Sequence, residues 1–251
     1  MGEMQGMRRD ETDSAPDWSR REFDLAEWMD GPCSYEEYAR AALDLERVNR
    51  LTLGYRPALR FLARVAERRG SAPLHVVDVG CGHGDGLRTI YRWAARKKVP
   101  LRLTGVDINP YAAQLARECD RRAGVAAGSI AWITANAFEA ELAAPVDAAI
   151  SSLFAHHLTD TAIVALLRWN EATARVGWLV NDLRRSRRAA MGFKWLTRAI
   201  GSCAMVKHDG AVSFRRALTM DEWRERCAQA GVDACVVDVG LGRLCVQRMK
   251  L

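Results

Sequence analysis

No stretch of this 251-residue chain approaches the roughly 20 consecutive apolar residues that a membrane-spanning helix requires. Seven cysteines are present, at Cys33, Cys81, Cys119, Cys203, Cys227, Cys235 and Cys245, but no two of them make a CxxC pair. That spacing argues against a tetrahedral metal finger, and an odd count argues against a disulfide framework, so reduced thiols are expected. The first 18 residues lack the apolar core of a secretory signal, which places the expected location in the cytoplasm. Internal repeats and low-complexity segments are also missing. The net charge of +6 is mild for this length, and no dense basic stripe interleaved with aromatics accompanies it, which disfavours nucleic acid as a partner. What remains is ordinary soluble material: 49% hydrophobic and 27% charged residues, in a chain long enough to bury a full core.

Residues 1–20 carry Gly2, Gly6, Pro16 and many charges and read as a flexible tail. Residues 21–72 turn helical, with Ser34 before Glu36 and Glu37 as an N-cap signature and Pro57 starting a second helix. From residue 73 to 251 the pattern alternates. Leu74–Gly80 reads as a buried strand, followed by a helix from Asp85. Leu101–Ile108 is a second strand, with a helix from Pro110; Ile130–Thr134, Val146–Phe154 and Gly177–Leu183 are three more. Helices are expected over 160–174, 186–200 and 220–230, with a loop near His208–Ser213. Val232–Val239 and Leu244–Met249 close the chain as two successive strands. The reading is α/β: a doubly wound, Rossmann-like seven-stranded sheet with an antiparallel terminal strand, plus an N-terminal helical cap.

The most informative run is Asp78-Val-Gly80-Cys-Gly82-His-Gly84-Asp85. Glycines at a strand-to-helix turn let backbone approach a ligand closely. The spacing is G-x-G-x-G, whereas the dinucleotide fingerprint needs a glycine where Asp85 stands. A carboxylate there repels a pyrophosphate but suits a ligand bearing an ammonium or sulfonium, which disfavours a nicotinamide oxidoreductase. Asp107 ends the next strand, where a carboxylate accepts both hydroxyls of a ribose.

These residues, with the strand order and terminal strand pair, resemble the class I S-adenosylmethionine-dependent methyltransferases of small-molecule, quinone or natural-product type. The resemblance runs from about Leu74 to Leu251. It implies S-adenosyl-L-methionine as cofactor, with Asp78, Gly80 and Gly82 at its methionine end, Asp107 and Ile108 at its ribose, and Asn136 with Ala137 at its adenine. Many members have Asp where Asn136 stands, and the amide oxygen keeps an acceptor there. Cys81 is read as a backbone position.

Ser151-Ser-Leu-Phe154-Ala-His156-His157-Leu-Thr-Asp160 follows the fourth strand, at the sheet edge where α/β folds bind ligands. A neutral imidazole there can take a proton from a phenol or enol. His157, preferred over His156, is the candidate base, and no metal is expected because no third ligand lies near the pair in sequence. Asn181 and Asp182 could position the acceptor or Asp182 could orient a histidine, while Asp182 or Ser186 could instead cap the next helix. Phe154, Asn181 and His208 are candidate acceptor contacts. The helix after Leu183 is basic on one side and apolar on another, which suits a solvated helix, a lid over a lipophilic acceptor or a weak membrane-surface contact. The expected activity is methyl transfer to a small hydroxylated aromatic, quinone-like or polyketide-derived acceptor, most simply O-methylation. N- or C-methylation, or a nucleic-acid methyltransferase using the basic 184–198 helix, are the alternatives.

Overall fold

A computed structural model describes residues 16–142 and 145–250. Most of the flexible-tail expectation, residues 1–15, lies outside the described residues. The remainder of that segment is anchored, since the Arg185 guanidinium donates to the Trp18 carbonyl (3.2 Å).

Seven strands form one sheet: β1 (Leu74–Val79), β2 (Leu101–Asp107), β3 (Ile130–Thr134), β4 (Val146–Ser152), β5 (Ala174–Leu183), β6 (Cys235–Gly240) and β7 (Arg243–Met249). Their order is β3-β2-β1-β4-β5-β7-β6. The first five run parallel, and β7 inserts antiparallel between β5 and β6. Every residue of β1 is buried, as expected for a central parallel strand covered on both faces.

Successive side chains point to opposite faces, so adjacent residues enter different cores. Val76, Leu103, Ile150 and Leu179 pack with Phe61, Leu62 and Val65 of α2 (Arg56–Arg69) and Leu87 and Ile90 of α3 (Asp85–Lys97). Val77, Val106, Ala149 and Val180 instead meet Ile163, Leu166 and Leu167 of α5 (Asp160–Thr173) and Trp223 of α8 (Met220–Ala230). A third, smaller cluster joins Tyr38 and Ala42 of α1 (Tyr35–Leu51) to Leu115 and Cys119 of α4 (Pro110–Ala123). Ser34 and Glu37 form the expected capping box of α1.

Three local expectations need correcting. The segment read as a loop at His208–Ser213 lies inside a helix, α7 (Ala204–Arg216). Its Gly210 is kept there by packing, because a Cβ would collide with the Phe193 ring. β4 stops at Ser152 rather than Phe154. Leu153 takes a positive φ of 56°, and a 3-10 turn follows at Ala155–His157. The helical region read from residue 21 begins only at Tyr35. Before it, the chain makes a 3-10 turn at Trp28–Asp30, held by α7. No helix among the described residues is long and apolar enough to cross a membrane.

Candidate active site

The strand order reverses between β1 and β4, where the carboxyl ends of neighbouring parallel strands diverge and a crevice opens. That crevice is a cavity of about 1130 Å³, with a narrow extension of about 50 Å³ beneath the glycine loop. The loop turns from β1 into α3 through Gly80, Gly82 and Gly84, all with positive φ. A Cβ at Gly80 would strike Phe154 and one at Gly84 would strike Trp132, whereas Gly82 faces open cavity. Two of these glycines are therefore fixed by protein packing, and the third leaves room for a ligand.

Asp107 ties this loop to the end of β2. Its Oδ2 accepts from the Gly82 N–H (2.7 Å) and its Oδ1 from the Asn109 N–H (2.9 Å). Burial raises its pKa, and the two backbone donors partly offset that. The helix that follows is capped not by Asp107 but by Asn109, whose side chain accepts from Tyr111 N–H (2.9 Å). Ile108, 73% exposed, and Asn136, Ala137 and Phe138 continue the cavity wall toward β3. The Asn136 Oδ1 accepts from Phe138 N–H (3.1 Å), and a carbonyl oxygen has a second lone pair free for a ligand.

The narrow extension is chemically unusual. Asp78 is buried in its wall with no hydrogen-bond partner for Oδ1, and burial, then Asp85 and Asp107, push its pKa well up. Asp85 is held by the Tyr55 hydroxyl (2.6 Å) and the Asn49 amide (3.3 Å). Facing the same space is Arg243, 5% exposed, whose guanidinium donates only to Asn49 Oδ1 (3.0 Å) and Thr52 Oγ1 (3.4 Å). Among the described residues no carboxylate comes within ion-pair distance of it, and burial lowers its pKa. Two acids and an unpaired buried cation around one small space match a zwitterion. Arg243 went unnoticed in the sequence because it starts an edge-proximal strand far from the glycine loop.

At the other end of the cavity stand two imidazoles. Asp182 takes His156 by both backbone and ring: Oδ2 accepts from the His156 N–H (2.9 Å) and Oδ1 lies 2.6 Å from Nδ1. His157 Nδ1 lies 3.1 Å from Asp30 Oδ2. A carboxylate only accepts, so both Nδ1 atoms carry protons and both Nε2 atoms are left over. Each Nε2 lies 3.9 Å from a different oxygen of Glu27, and the two rings are 4.2 Å apart. Burial raises the Glu27 pKa to about 7. Burial also opposes ionisation of Asp30, but His157 and Arg216 outweigh it and hold that carboxyl at about 2. Asp182 is lowered too, the His156 ring overcoming its burial. Ser186 caps the following helix, leaving Asp182 to the histidine.

Glu27 reaches the pair from more than 100 residues away because the 27–30 turn is fastened to α7. The Asp209 carboxylate accepts from Trp28 N–H (2.8 Å) and Met29 N–H (3.0 Å), and Ser213 Oγ donates to Glu27 Oε1 (3.0 Å). Arg216 spans the gap, donating to Asp30 Oδ2 (3.0 Å) and to the carbonyls of His156 and His157 (both 3.2 Å). Ligand atoms of Glu27, His156 and His157 all lie within 4.8 Å of one another, so the third group that sequence spacing did not offer is supplied in space.

Two expected acceptor contacts sit elsewhere. His208 stacks on Trp28 (4.2 Å, 15° between planes) and is absent from the cavity wall, which its neighbours Asp209 and Gly210 line instead. Asn181, fully buried, donates from Nδ2 to the Gly54 carbonyl (3.2 Å) and so pins the α1–α2 connection to β5. Phe154 does line the cavity.

Residues 76–176 match the family model described as a methyltransferase domain. Among solved structures, the plantazolicin methyltransferase BamL, in complex with a triazolic desmethylPZN analog and SAH, aligns at TM-score 0.63 and 17% identity, covering 86% of this chain and 75% of that one. A putative O-methyltransferase from Nostoc punctiforme aligns at 0.54 and 18% identity over 77% of this chain and 56% of its own. Magnesium protoporphyrin IX methyltransferase from Synechocystis with bound SAH aligns at 0.54 and 12% identity over 88% and 89%. No curated protein sequence matches the chain. Residues 76–176 therefore match a methyltransferase domain, and the chain carries the same fold as these methyltransferase structures.

Proposed function

We propose that this protein methylates a hydroxyl oxygen of a small aromatic, quinone-like or polyketide-derived acceptor. The observation that carries the reading is the pair of imidazoles whose Nδ1 atoms are both anchored by carboxylates, which leaves both Nε2 atoms turned to Glu27 at the cavity wall. His157, 27% exposed at its side chain, is the ring open to a bound acceptor; His156 is buried behind it.

S-adenosylmethionine supplies an electrophilic methyl group on sulfur. Gly82 and Asp107 would hold its ribose side, and Asp78, Asp85 and Arg243 its amino-acid end, an assignment supported by the orphaned Asp78 Oδ1 and the unpaired guanidinium. Held by those residues, the cofactor would supply its methyl group to an acceptor oxygen lying against His157, with S-adenosylhomocysteine as the leaving group. The hydroxyl proton passes to His157 Nε2 and is shared with Glu27, while Asp30 stabilises the resulting imidazolium. Positioning provides most of the acceleration, and the apolar side chains of Leu45, Val48, Phe154, Phe193 and Phe214 in the cavity wall would limit the water around the acceptor. The acceptors named for two of the similar structures, a desmethylPZN analog and magnesium protoporphyrin IX, are also small molecules.

The test is a panel of phenols, hydroxyquinones, amines and carbon acids incubated with labelled cofactor. Methylated oxygen products that are formed at least tenfold faster by the wild type than by His157→Ala support the reading. Turnover confined to amines or carbon acids, or indifferent to His157, overturns it.

A further inference from the structure

The helix α6 (Arg187–Ala199) has two faces that do opposite things. At about 100° per residue, Leu196, Ala189 and Phe193 cluster on one side, and all three line the large cavity. On the other side Arg187, Arg188, Met191, Lys194, Trp195 and Arg198 fall within an arc of about 120° and all six are exposed, with Arg188, at the edge of that arc, also bordering the cavity. Met191 is 52% and Trp195 67% exposed, and Thr197 alone on this helix is buried.

The charge on the outer face is of one sign. The helix contains no Asp or Glu, and none of its four cations makes an ion pair among the described residues. The two arginines just before the helix are paired instead, Arg184 with Asp238 and Arg185 with Glu222 (2.6 Å). Beside α6 the β6–β7 turn adds Leu241, 67% exposed, and packs so closely that a Cβ on Gly242 would touch Ala189. Leu241 is also part of the cavity wall. The cavity mouth is therefore bordered by a cationic helix with a protruding tryptophan and by an exposed leucine.

We propose that α6 and the Leu241 turn dock on an anionic lipid bilayer, so that a lipophilic acceptor enters the cavity directly from the membrane surface. Four unpaired cations complement an anionic surface, and a Trp and a Met on the same arc suit the headgroup boundary. Nucleic acid would use the cations but gains nothing from Met191, Leu241 or an apolar cavity opening at the contact. The lipophilic acceptor rests on the proposed O-methylation; the docking itself does not.

Sedimentation with phosphatidylcholine vesicles, with and without 30% phosphatidylglycerol, tests this. Binding is expected only to the anionic vesicles and falls steeply between about 50 and 300 mM salt. Lys194→Glu with Arg198→Glu should weaken it by at least about 25-fold, taking roughly fivefold per lost cation. Trp195→Phe should abolish a vesicle-induced blue shift in tryptophan emission. Cofactor affinity and turnover of a short water-soluble acceptor should be unchanged in the charge-reversed variant, which shows that it folds. Equal binding to neutral vesicles, no vesicle binding, or a DNA duplex displacing the vesicles at equal phosphate concentration would each overturn the proposal. Vesicle binding without any O-methylation would sink the function instead and leave the docking face standing.

Discussion

Asp182 grips His156 through two atoms at once, its Oδ2 on the backbone N–H at 2.9 Å and its Oδ1 on the ring Nδ1 at 2.6 Å. The carboxylate sits at the end of β5 and the histidine just beyond β4, two strands paired in register at Ser152 and Asn181. Strand pairing thus sets the orientation of the imidazole. Asp182→Asn keeps the volume but loses the charge that fixes the tautomer. A 10- to 100-fold fall in kcat with cofactor affinity unchanged is expected, a part of what general-base catalysis supplies. A variant that melts earlier yet turns over normally would make Asp182 merely structural.

Glu27 makes stability and activity respond to pH in opposite directions. Its folded pKa of about 7 exceeds the usual 4.5, because burial penalises the carboxylate. Between those values the folded state holds a proton that the unfolded chain has released, so stability falls as pH rises from 4.5 to 7. Glu27→Gln should flatten that decline, which amounts to on the order of 3 kcal/mol, in chemical denaturation at pH 5 and pH 8. In the proposed O-methylation the same ionisation would free Glu27 to share the acceptor's proton. kcat should therefore rise through pH 7 in the wild type and lose that limb in the variant.

The amino-acid end of the cofactor can be separated from its nucleoside end by calorimetry. Arg243→Met should weaken S-adenosylhomocysteine about tenfold or more, since a buried charge-assisted contact is lost, while binding of methylthioadenosine, which lacks that end, stays the same. Asp107→Ala should weaken both ligands. Equal losses for both ligands in Arg243→Met would place the guanidinium outside the cofactor site.

Gly82 and Gly84 should fail differently when replaced by alanine. Both have positive φ, which strains alanine by about 1 kcal/mol. At Gly82 the methyl group enters open cavity, so cofactor binding should drop while the protein still folds. At Gly84 it meets the Trp132 ring, and the melting temperature should fall by more than in the Gly82 variant.

Two Nε2 lone pairs and a carboxylate facing one another invite a divalent ion. If His157 is the base, micromolar Zn²⁺ should inhibit by occupying that lone pair, and chelator should restore full activity. Activation by Zn²⁺ would reverse the assignment and make the triangle a metal site.

The glycine loop, Asp107 and the order of strands were legible because they are local. A G-x-G-x-G turn between an apolar run and an amphipathic helix carries its geometry in consecutive residues, and period-two and period-3.6 patterns report burial directly. The His156–His157 pair was legible as chemistry, but its partners were not. Asp182 stood between several roles until Ser186 was seen to cap the helix.

His208 and Asn181 show what position near the sheet edge leaves open. Each is polar and near the sheet edge that binds ligands, yet one stacks on Trp28 and the other pins Gly54. The segment around His208 is helical despite Gly210, which packs against Phe193, a contact between elements that local propensity cannot register.

By itself, then, the sequence determined the sheet and the glycine loop at its edge, since those depend on residues adjacent in the chain or repeated along one element. Only the tertiary structure decided what the histidines face and what lines the narrow pocket. Glu27 is carried to His156 by a turn fastened to α7, and Arg243 to Asp78 by an antiparallel strand closing the sheet. Long-range packing and hydrogen bonds set those distances, and no local pattern encodes them.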